Sequence, residues 1–282
     1  MKCIVSLSGG RDSSTCLGLA VEKYGKENVS AIGFEYGSKH PMELENAQKI
    51  ADYYEIPYKV VNIDPSIFDG STCTMLKGSK EEVEKGRSYE EILSEKEGKV
   101  STYVPARNTL FSAYTLAFAE SLSEKNGGEQ VSIMLGQHAD DSGYYVDENG
   151  VEHLDDTKAA YPDCSVSFVN AFAKVANISS VGKVIYETPF IKMHKWELLK
   201  LGMELKNPVP YELCFSCYDP VQNEKGEWVE CGDCMPIEHV CATCLDVKKA
   251  MTLALENIDE NTLNNIKQIN ISLYNYLLKF KK

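Results

Sequence analysis

The chain has 282 residues, of which 43% are hydrophobic, and its 29 basic and 42 acidic side chains give a formal net charge of −13. This length suits one large domain, or one domain with a smaller appendix. The charge argues against a protein that works along nucleic-acid backbones, because such binding needs a basic stripe and the sequence has none long enough. No apolar run approaches the ~18 residues of a membrane span, and no signal peptide precedes the first predicted strand, so we expect a cytoplasmic protein without membrane contact.

Five short apolar runs predict the strands of a sheet. They are Lys2–Leu7, Val29–Tyr36, Tyr58–Ile63, Val131–Gly136 and a run that begins at Lys183. Between them apolar residues recur at helical spacing, for example Leu17, Ala20, Val21 and Tyr24. This alternation predicts an α/β fold, with a parallel five-stranded sheet and helices on both faces. Ligands of such folds bind beyond the carboxyl ends of the strands.

Two segments interrupt the alternation, and the composition changes towards the end of the chain. Residues 77–99 are rich in charge, which predicts a solvated helix or a flexible excursion. Residues 144–160 contain an Asp-Glu-Asn-Gly turn signal and predict an inserted loop or hairpin. A cysteine-rich region begins around Pro208–Pro210, and a helical tail follows from about Asn261. We therefore predict a main domain at 1–207 and a small cysteine-rich module with a helical tail at 208–282.

A glycine-rich loop follows the first strand and opens a helix. Such a loop suits a phosphate group, because glycines allow close backbone approach and the helix start offers unpaired N–H groups and a positive dipole end. The hydroxyls of Ser8, Ser13 and Ser14 add donors, and Asp12 suits a Mg²⁺ ion bridging the phosphates. No lysine stands where a Walker A motif needs one. The alternative is an ordinary glycine turn before a capped helix.

Six of the ten cysteines lie within residues 214–244 as three C-x-x-C pairs. Ten cysteines in a chain without a secretion signal indicate a metal site in a reducing compartment, and not a disulfide framework. The pairs are Cys214/Cys217, Cys231/Cys234 and Cys241/Cys244. Zinc takes four thiolates in a tetrahedron, so six candidates exceed the need of one site. We expect a structural zinc, because a closed four-thiolate site leaves no position open for substrate.

The loop and several later blocks carry a family resemblance. Ser8-Gly9-Gly10-Arg11-Asp12-Ser13 resembles the signature of the PP-loop ATP pyrophosphatases, which adenylate an oxygen and release pyrophosphate. The later blocks resemble, in order, those of the 7-cyano-7-deazaguanine synthase family. They contain Tyr36-Gly37, Val104-Pro105 with Arg107-Asn108, Tyr161-Pro162-Asp163-Cys164, Lys195, and Ser216-Cys217-Tyr218 with the cysteines that follow.

This resemblance implies an adenine nucleotide alpha hydrolase-like fold and assigns roles to residues. Catalytic roles fall on Asp12, Ser13, Arg107 and Lys195. ATP is expected on Leu7, Ser8, Gly9, Gly10, Arg11, Asp12, Ser13, Ser14 and Gly136. The heterocyclic substrate is expected on Tyr36, Arg107, Tyr161, Asp163 and Cys164, with Tyr161 stacking and Asp163 accepting from an N–H edge. Zinc is expected on four of Cys217, Cys231, Cys234, Cys241 and Cys244, with the choice among the five left open.

The implied activity is that of an ATP-dependent C–N ligase. ATP adenylates 7-carboxy-7-deazaguanine, ammonia displaces AMP to give the amide, and a second ATP leads to the nitrile. The resemblance also implies a homodimer, and the tail "INISLYNYLLKF" has an apolar face that such a contact needs. No direct nucleic-acid partner is expected, and a tRNA-modifying relative is disfavoured by the acidity of the chain.

Three departures from the family pattern keep other interpretations open. Ser165 stands where the family often has an arginine, an insertion separates the blocks on either side of residues 144–160, and the cysteine run is split. These would suit an enzyme that stops at the amide or joins the deazaguanine to another amine, including one on a protein. A different class of interpretation is a non-catalytic zinc protein that senses a nucleotide.

Overall fold

The computed structural model describes residues 1–40, 42–95, 100–181 and 183–281. The strands are β1 (Lys2–Ser6), β2 (Val29–Glu35), β3 (Tyr58–Asn62), β4 (Val131–Met134), β5 (Tyr144–Val146), β6 (Glu152–Leu154), β7 (Val184–Glu187), β8 (Val221–Gln222) and β9 (Trp228–Val229). The α-helices are α1 (Arg11–Tyr24), α2 (Met42–Tyr53), α3 (Tyr89–Glu95), α4 (Arg107–Lys125), α5 (Ala139–Ser142), α6 (Val166–Ser179), α7 (Lys195–Glu204), α8 (Ala242–Glu256), α9 (Glu260–Ile269) and α10 (Ile271–Leu277).

The predicted five-stranded parallel sheet is confirmed. Its strand order is β3-β2-β1-β4-β7, and each neighbouring pair runs parallel. β1 lies at the centre, and its residues Cys3, Ile4 and Val5 are fully buried because both faces of the sheet are covered. The edge strand β3 is largely exposed or half-buried.

Helices cover both faces of the sheet, as the alternation of elements predicts. Cys3 and Val5 of β1 pack into a core with residues of α1, α2 and α7, whereas Ile4 packs into a second core with residues of α4 and α6. Successive side chains of a strand point to opposite faces, which separates the two cores.

The two interrupting segments have different structures. Residues 144–160 contain the predicted hairpin, in which β5 and β6 pair antiparallel around a turn closed by a hydrogen bond from Gly150 N to Asp147 O at 3.0 Å. Residues 77–99, predicted as a solvated helix or a flexible excursion, contain the short helix α3, which buries Ile92 in a small apolar cluster. Residues 96–99 of that segment lie outside the described residues.

The C-terminal region packs onto the same core as the sheet. Met251 of α8, Ile266 of α9, and Leu273 and Leu277 of α10 are buried in the core that holds Cys3 and Val5. Part of the apolar surface of the tail is therefore used within the chain. The proposed boundary at 207/208 stays a prediction. Among the described residues, no helix is both long and apolar enough to cross a membrane.

Candidate nucleotide and metal sites

The glycine-rich loop lies at the carboxyl end of β1, in the middle of the sheet, and leads directly into α1. Gly9 has a φ of +84°, and a Cβ there would lie 2.3 Å from Glu43 O and 2.8 Å from Ala47 N. Only glycine fits this position, because the backbone is left-handed and α2 approaches it closely. The start of α1 therefore lies at the carboxyl end of the central strand, where the N–H groups of a helix's first turn can bind an anion.

The loop hydroxyls form a small hydrogen-bonded group. Ser8 Oγ lies 3.1 Å from Ser13 Oγ, and Ser13 Oγ also accepts from Ser8 N at 3.2 Å. Ser14 is buried, and its hydroxyl donates to Gly10 O at 2.7 Å. Ser8 and Ser13 thus present their hydroxyls at the loop, while Ser14 supports the loop from beneath.

Lys195 and Asp12 meet across 183 residues of sequence. Lys195 Nζ lies 3.0 Å from Asp12 Oδ2, and His138 Nε2 lies 3.6 Å from the same oxygen. Lys195 begins α7, where its backbone N–H donates to Asp140 Oδ2 at 2.8 Å, and His194 Nδ1 lies 2.6 Å from Asp140 Oδ1. Asp140 therefore holds the start of α7 so that Lys195 points at the loop.

The charges around Asp12 keep its carboxyl group ionised. Burial alone would raise the pKa of the Asp12 carboxyl, but the Lys195 ammonium and the His138 imidazole hold that pKa well below its usual range. Burial alone would lower the pKa of His138, but the nearby Asp141 and Asp12 carboxylates outweigh burial and raise that pKa to about 8. Asp12 is thus a carboxylate at neutral pH.

One oxygen of Asp12 remains available for a ligand. Asp12 Oδ1 is buried and has no hydrogen-bond partner among the described residues, whereas Oδ2 contacts Lys195. A buried carboxylate oxygen without a donor is costly unless a ligand supplies one. This oxygen fits a Mg²⁺ ion, which prefers carboxylate and phosphate ligands.

Arg107 begins α4 beside the aromatic end of β2. Its Nη1 donates to Tyr36 Oη at 3.3 Å, and its guanidinium lies 5.8 Å from the centres of the Tyr36 and Phe111 rings. Ala106 precedes it in the left-handed region, with a φ of 52°. The aromatic contacts hold the guanidinium in place.

Asp163 supports the start of the same helix. Its Oδ2 accepts from Asn108 N at 2.9 Å, and Asn108 Nδ2 lies 3.1 Å from Cys164 Sγ. Burial raises the pKa of Asp163 and of the Cys164 thiol. The adjacent Ser165, where the family often has arginine, caps α6 by accepting from Phe168 N at 3.1 Å.

Two cavities meet at the loop. The larger, about 670 Å³, is lined by residues that include Ser8, Asp12, Glu43, Tyr89, His138, Asp141, Tyr161, Lys195, Ser216, Tyr218, Thr243 and Asp246. The smaller, about 210 Å³, is lined by residues that include Leu7, Ser8, Asp12, Ser13, Tyr36, Glu43, Arg107, Gly136, Cys164 and Tyr218. Most of the predicted site residues line one of these cavities.

Four of the residues predicted for ATP or the substrate are absent from both cavity linings: Gly9, Arg11, Ser14 and Asp163. Arg11 is only 2% exposed, and its guanidinium pairs with Glu230 and Tyr276 instead of facing the loop. Asp163 is absent from both cavity linings and uses its carboxylate on the helix start. The roles assigned to all of the predicted site residues stay predictions.

The structure also brings in residues to which the sequence assigned no role. Glu43 lines both cavities, and burial, partly offset by Arg107, raises its pKa to about 7. Tyr89 and Asp246 line the larger cavity, and burial raises the pKa of Asp246 to about 6. Tyr89 comes from the charged segment and Asp246 from α8, so no motif connects them in the sequence.

The structure shows which four of the five candidate cysteines lie close enough together to hold one metal ion. The sulfurs of Cys217, Cys231, Cys241 and Cys244 lie within 4.8 Å of one another, and all four residues are buried, whereas Cys234 is exposed. Cys217 Sγ lies 3.5 Å from Cys231 Sγ and 3.8 Å from Cys241 Sγ. Tetrahedral zinc with Zn–S bonds of ~2.3 Å requires sulfurs about 3.8 Å apart. The four sulfurs fit such an ion.

Backbone N–H groups around these sulfurs also suit thiolates. Cys231 N donates to Cys217 Sγ at 3.3 Å, Asp219 N donates to the same sulfur at 3.4 Å, and Cys241 N donates to Cys231 Sγ at 3.2 Å. Hydrogen bonds of this kind stabilise negative charge on sulfur and orient the ligands.

Fold and sites together define a class: a parallel α/β protein with an anion-binding loop at its central strand and a four-cysteine metal site beside it. A family model described as "Queuosine biosynthesis protein QueC" matches residues 2–250. The chain belongs to the QueC family.

Curated relatives agree with this membership. A 7-cyano-7-deazaguanine synthase of Rickettsia bellii is 33% identical over 88% of this chain and 93% of its own length. Proteins of the same name from Leptospira biflexa and Desulfatibacillum aliphaticivorans are 35% and 36% identical, over 82% and 83% of this chain and 85% and 87% of their own lengths. Among solved structures, NMN synthetase from Francisella tularensis has a TM-score of 0.40 and 13% identity, over 100% of this chain and 87% of its own.

Proposed function

We propose that this protein is an ATP-dependent ligase that converts 7-carboxy-7-deazaguanine and ammonia into 7-cyano-7-deazaguanine, with release of AMP and pyrophosphate. The relatives that carry the synthase name are similar to it over more than four fifths of their length. The observation that carries the proposal in this chain is the Lys195–Asp12 pair at the β1 loop, with Asp12 Oδ1 left for a cation.

The chemistry explains why ATP is needed. A carboxylate is a poor electrophile, because its leaving group would be oxide. Attack of a carboxylate oxygen on the α-phosphorus breaks the bond to the β-phosphate oxygen, releases pyrophosphate and leaves an acyl-AMP. Ammonia then attacks the acyl carbon, AMP leaves, and a proton is lost to give the amide. A second adenylation, on the amide oxygen, followed by loss of AMP and two N–H protons gives the nitrile.

The residues at the loop suit the first step. The two cavities share Ser8 and Asp12, so a nucleoside in one cavity and a heterocyclic acid in the other would meet at the phosphates. The N–H groups at the start of α1, with Ser8 and Ser13, would hold the departing pyrophosphate. Lys195 and Arg107 place positive charge where negative charge develops, which lowers the barrier. Mg²⁺, held at Asp12 Oδ1, would neutralise phosphate charge.

The second metal has a different role. We propose zinc at Cys217, Cys231, Cys241 and Cys244, because the buried sulfurs have the spacing of a tetrahedral ion. All four positions of such a site are filled by protein, so the metal would support the fold and take no part in the reaction.

The assembly and its location are part of the proposal. We infer a homodimer in a reducing cytoplasm, in keeping with the family resemblance and with cysteines that are all free in the described residues. Leu273 and Leu277 of the tail are buried within the chain, whereas Ile271 and Leu278 are about half exposed and would be available for a dimer contact. Sedimentation equilibrium of the zinc-loaded protein tests this point, and a mass of one chain contradicts it.

Mass spectrometry of the product tests the reaction. The protein is incubated with ATP, Mg²⁺, ammonium and 7-carboxy-7-deazaguanine, and pyrophosphate is measured in parallel. Nitrile formation that is lost in Asp12→Asn supports the proposal. Pyrophosphate without nitrile favours an enzyme that stops at the amide or uses another amine. Neither product, although ATP binds, favours a nucleotide-sensing protein.

A further inference from the structure

Arg11, the first residue of α1, connects the nucleotide site to the metal module. Arg11, between Gly10 and Asp12, is 2% exposed, and its partner Glu230 is 12% exposed. Two parallel hydrogen bonds join them: Nη1 to Oε1 at 2.9 Å and Nη2 to Oε2 at 2.6 Å. Glu230 immediately precedes the metal ligand Cys231. A bidentate pair of this kind fixes both orientation and distance.

A second set of contacts joins the same two regions through the backbone. Arg11 N donates to Ser216 Oγ at 3.2 Å, and Ser216 N donates to Glu230 Oε1 at 2.5 Å. Phe215 N donates to Gly9 O at 2.9 Å. Ser216 immediately precedes the metal ligand Cys217. Both segments that supply these ligands are therefore hydrogen-bonded to the loop.

These hydrogen bonds are directional, and they fix the position of the loop backbone that an anion would contact. Gly9 and Arg11 flank the turn from which the first N–H groups of α1 emerge. Tyr276 of α10 adds a third contact, since its hydroxyl accepts from Arg11 Nη2 at 2.7 Å. A shift of residues 215–216 or of Glu230 would therefore move the backbone that receives the phosphates.

We propose that Arg11, Glu230 and Ser216 are positioning residues that couple the four-cysteine metal site to the nucleotide loop, so that metal and ATP each strengthen the binding of the other. The inference rests on the proposed binding of ATP to this loop. The coupling is reciprocal by thermodynamic necessity, because each ligand favours the same arrangement of the shared contacts. A metal that only supported the fold would show the same dependence on nucleotide in variants that lack these contacts.

Metal release provides a readout that is independent of turnover. Zinc-loaded protein is mixed with excess chromogenic chelator and Mg²⁺, with and without saturating ATP, and the rate of zinc transfer is followed by absorbance. We expect ATP to slow release from the wild type at least about fivefold, at the lower end of typical coupling factors. In Glu230→Gln, which keeps the shape of the side chain but removes the charge, this protection should fall to less than about twofold.

Matched variants separate coupling from general stability. Glu227→Gln alters an exposed glutamate of the same segment and should keep the full protection by ATP. Ser216→Ala removes the bond to Arg11 N without leaving a buried charge unpaired, and it serves where Glu230→Gln does not fold. Free ATP affects the chelator equally in all samples that contain ATP. The coupling is therefore judged only from the difference in ATP protection between the wild type and each variant.

The outcomes are distinct. Equal protection by ATP in wild type, Glu230→Gln and Ser216→Ala overturns the coupling, even if the variants melt at lower temperature. ATP that binds the wild type by calorimetry without slowing zinc release also overturns it, and leaves the proposed function intact. Failure of ATP to bind the zinc-loaded wild type removes the proposed function and the coupling with it.

Discussion

The two oxygens of Asp12 have different environments, so that one can pair with the Lys195 ammonium group while the other is left for the proposed Mg²⁺ ion. Oδ2 is occupied by Lys195 Nζ at 3.0 Å, while Oδ1 is buried without a partner. The Lys195 backbone is held by its hydrogen bond to Asp140 Oδ2, and its side chain is only 14% exposed in its pair with Asp12. The ammonium is thus already oriented when the phosphates arrive.

Replacement of Lys195 by alanine should lower kcat/KM about 100- to 1,000-fold, in line with the loss of one preorganised charge at a developing anion. The measurement is steady-state pyrophosphate release. Lys200→Ala, on the same helix but in a surface pair with Glu204, is the control and should stay within about twofold, since surface pairs contribute little. Equal rates in the two variants would contradict a role for Lys195.

Glu43 makes stability depend on pH. Its pKa in the folded protein is raised to about 7 from the ordinary 4.5, mainly by burial. The unfolded chain therefore loses its proton first, so the folded state is favoured below pH 4.5 and loses stability as the pH rises through about 7.

Glu43→Gln should remove this dependence. Relative to the variant, the wild type should lose up to about 3 kcal/mol of unfolding free energy between pH 4.5 and 7.5, from 1.36 kcal/mol per pKa unit. Urea unfolding of both proteins across that range gives the difference. A difference that stays constant with pH would show that Glu43 ionises as freely in the folded protein as in the unfolded chain.

At the scale of elements, the β1–α1 turn depends on the close approach of α2. A Cβ on Gly9 would meet two backbone atoms of α2, which cannot move as a side chain can. The turn and α2 are therefore one unit, although more than thirty residues separate them in sequence. The hairpin β5–β6 is a different case, because its own turn hydrogen bonds define it locally.

Gly9→Ala should destabilise the fold by more than about 3 kcal/mol, because a left-handed backbone penalty of 1–2 kcal/mol is added to a backbone clash. Gly128→Ala is the matched control, since it has a φ of +81° and no atom within 4 Å of the added Cβ. It should cost only the backbone penalty, about 1–2 kcal/mol. Chemical denaturation measures both, and equal costs would contradict the close approach of α2.

For the whole molecule, the metal site joins segments that are otherwise held by few regular elements. The four cysteines come from residues 217–244, where the strands β8 and β9 have two residues each. Short strands bury little surface, so a metal is a natural source of order in this region.

Cys241→Ser should abolish stoichiometric zinc and lower the free energy of unfolding by more than about 3 kcal/mol, because metal binding energy contributes to folding energy. Cys234→Ser should leave both unchanged, since that thiol is exposed and lies outside the cluster. Elemental analysis measures the zinc content of the two variants, and chemical denaturation measures their free energy of unfolding. Zinc lost from Cys234→Ser and kept by Cys241→Ser would contradict the assignment.

The sequence by itself determined the elements that depend on local pattern. The five strands, the glycine loop and the hairpin follow from apolar runs and turn residues, because these act on neighbouring backbone. The strand ends were predicted one or two residues too late, as at Leu7, which leaves β1 but stays buried. The order of the blocks also predicted many of the residues that line the cavities near the loop, but not Glu43, Tyr89 or Asp246.

Only the tertiary structure decided which atoms meet. Spacing could not choose among five cysteines, because the choice depends on how β8, β9 and the start of α8 fold around the sulfurs. Nor could it show that Arg11 turns away from the loop towards Glu230, 219 residues later. Such pairs depend on burial and on contacts between distant segments, and a sequence contains no local signal for them.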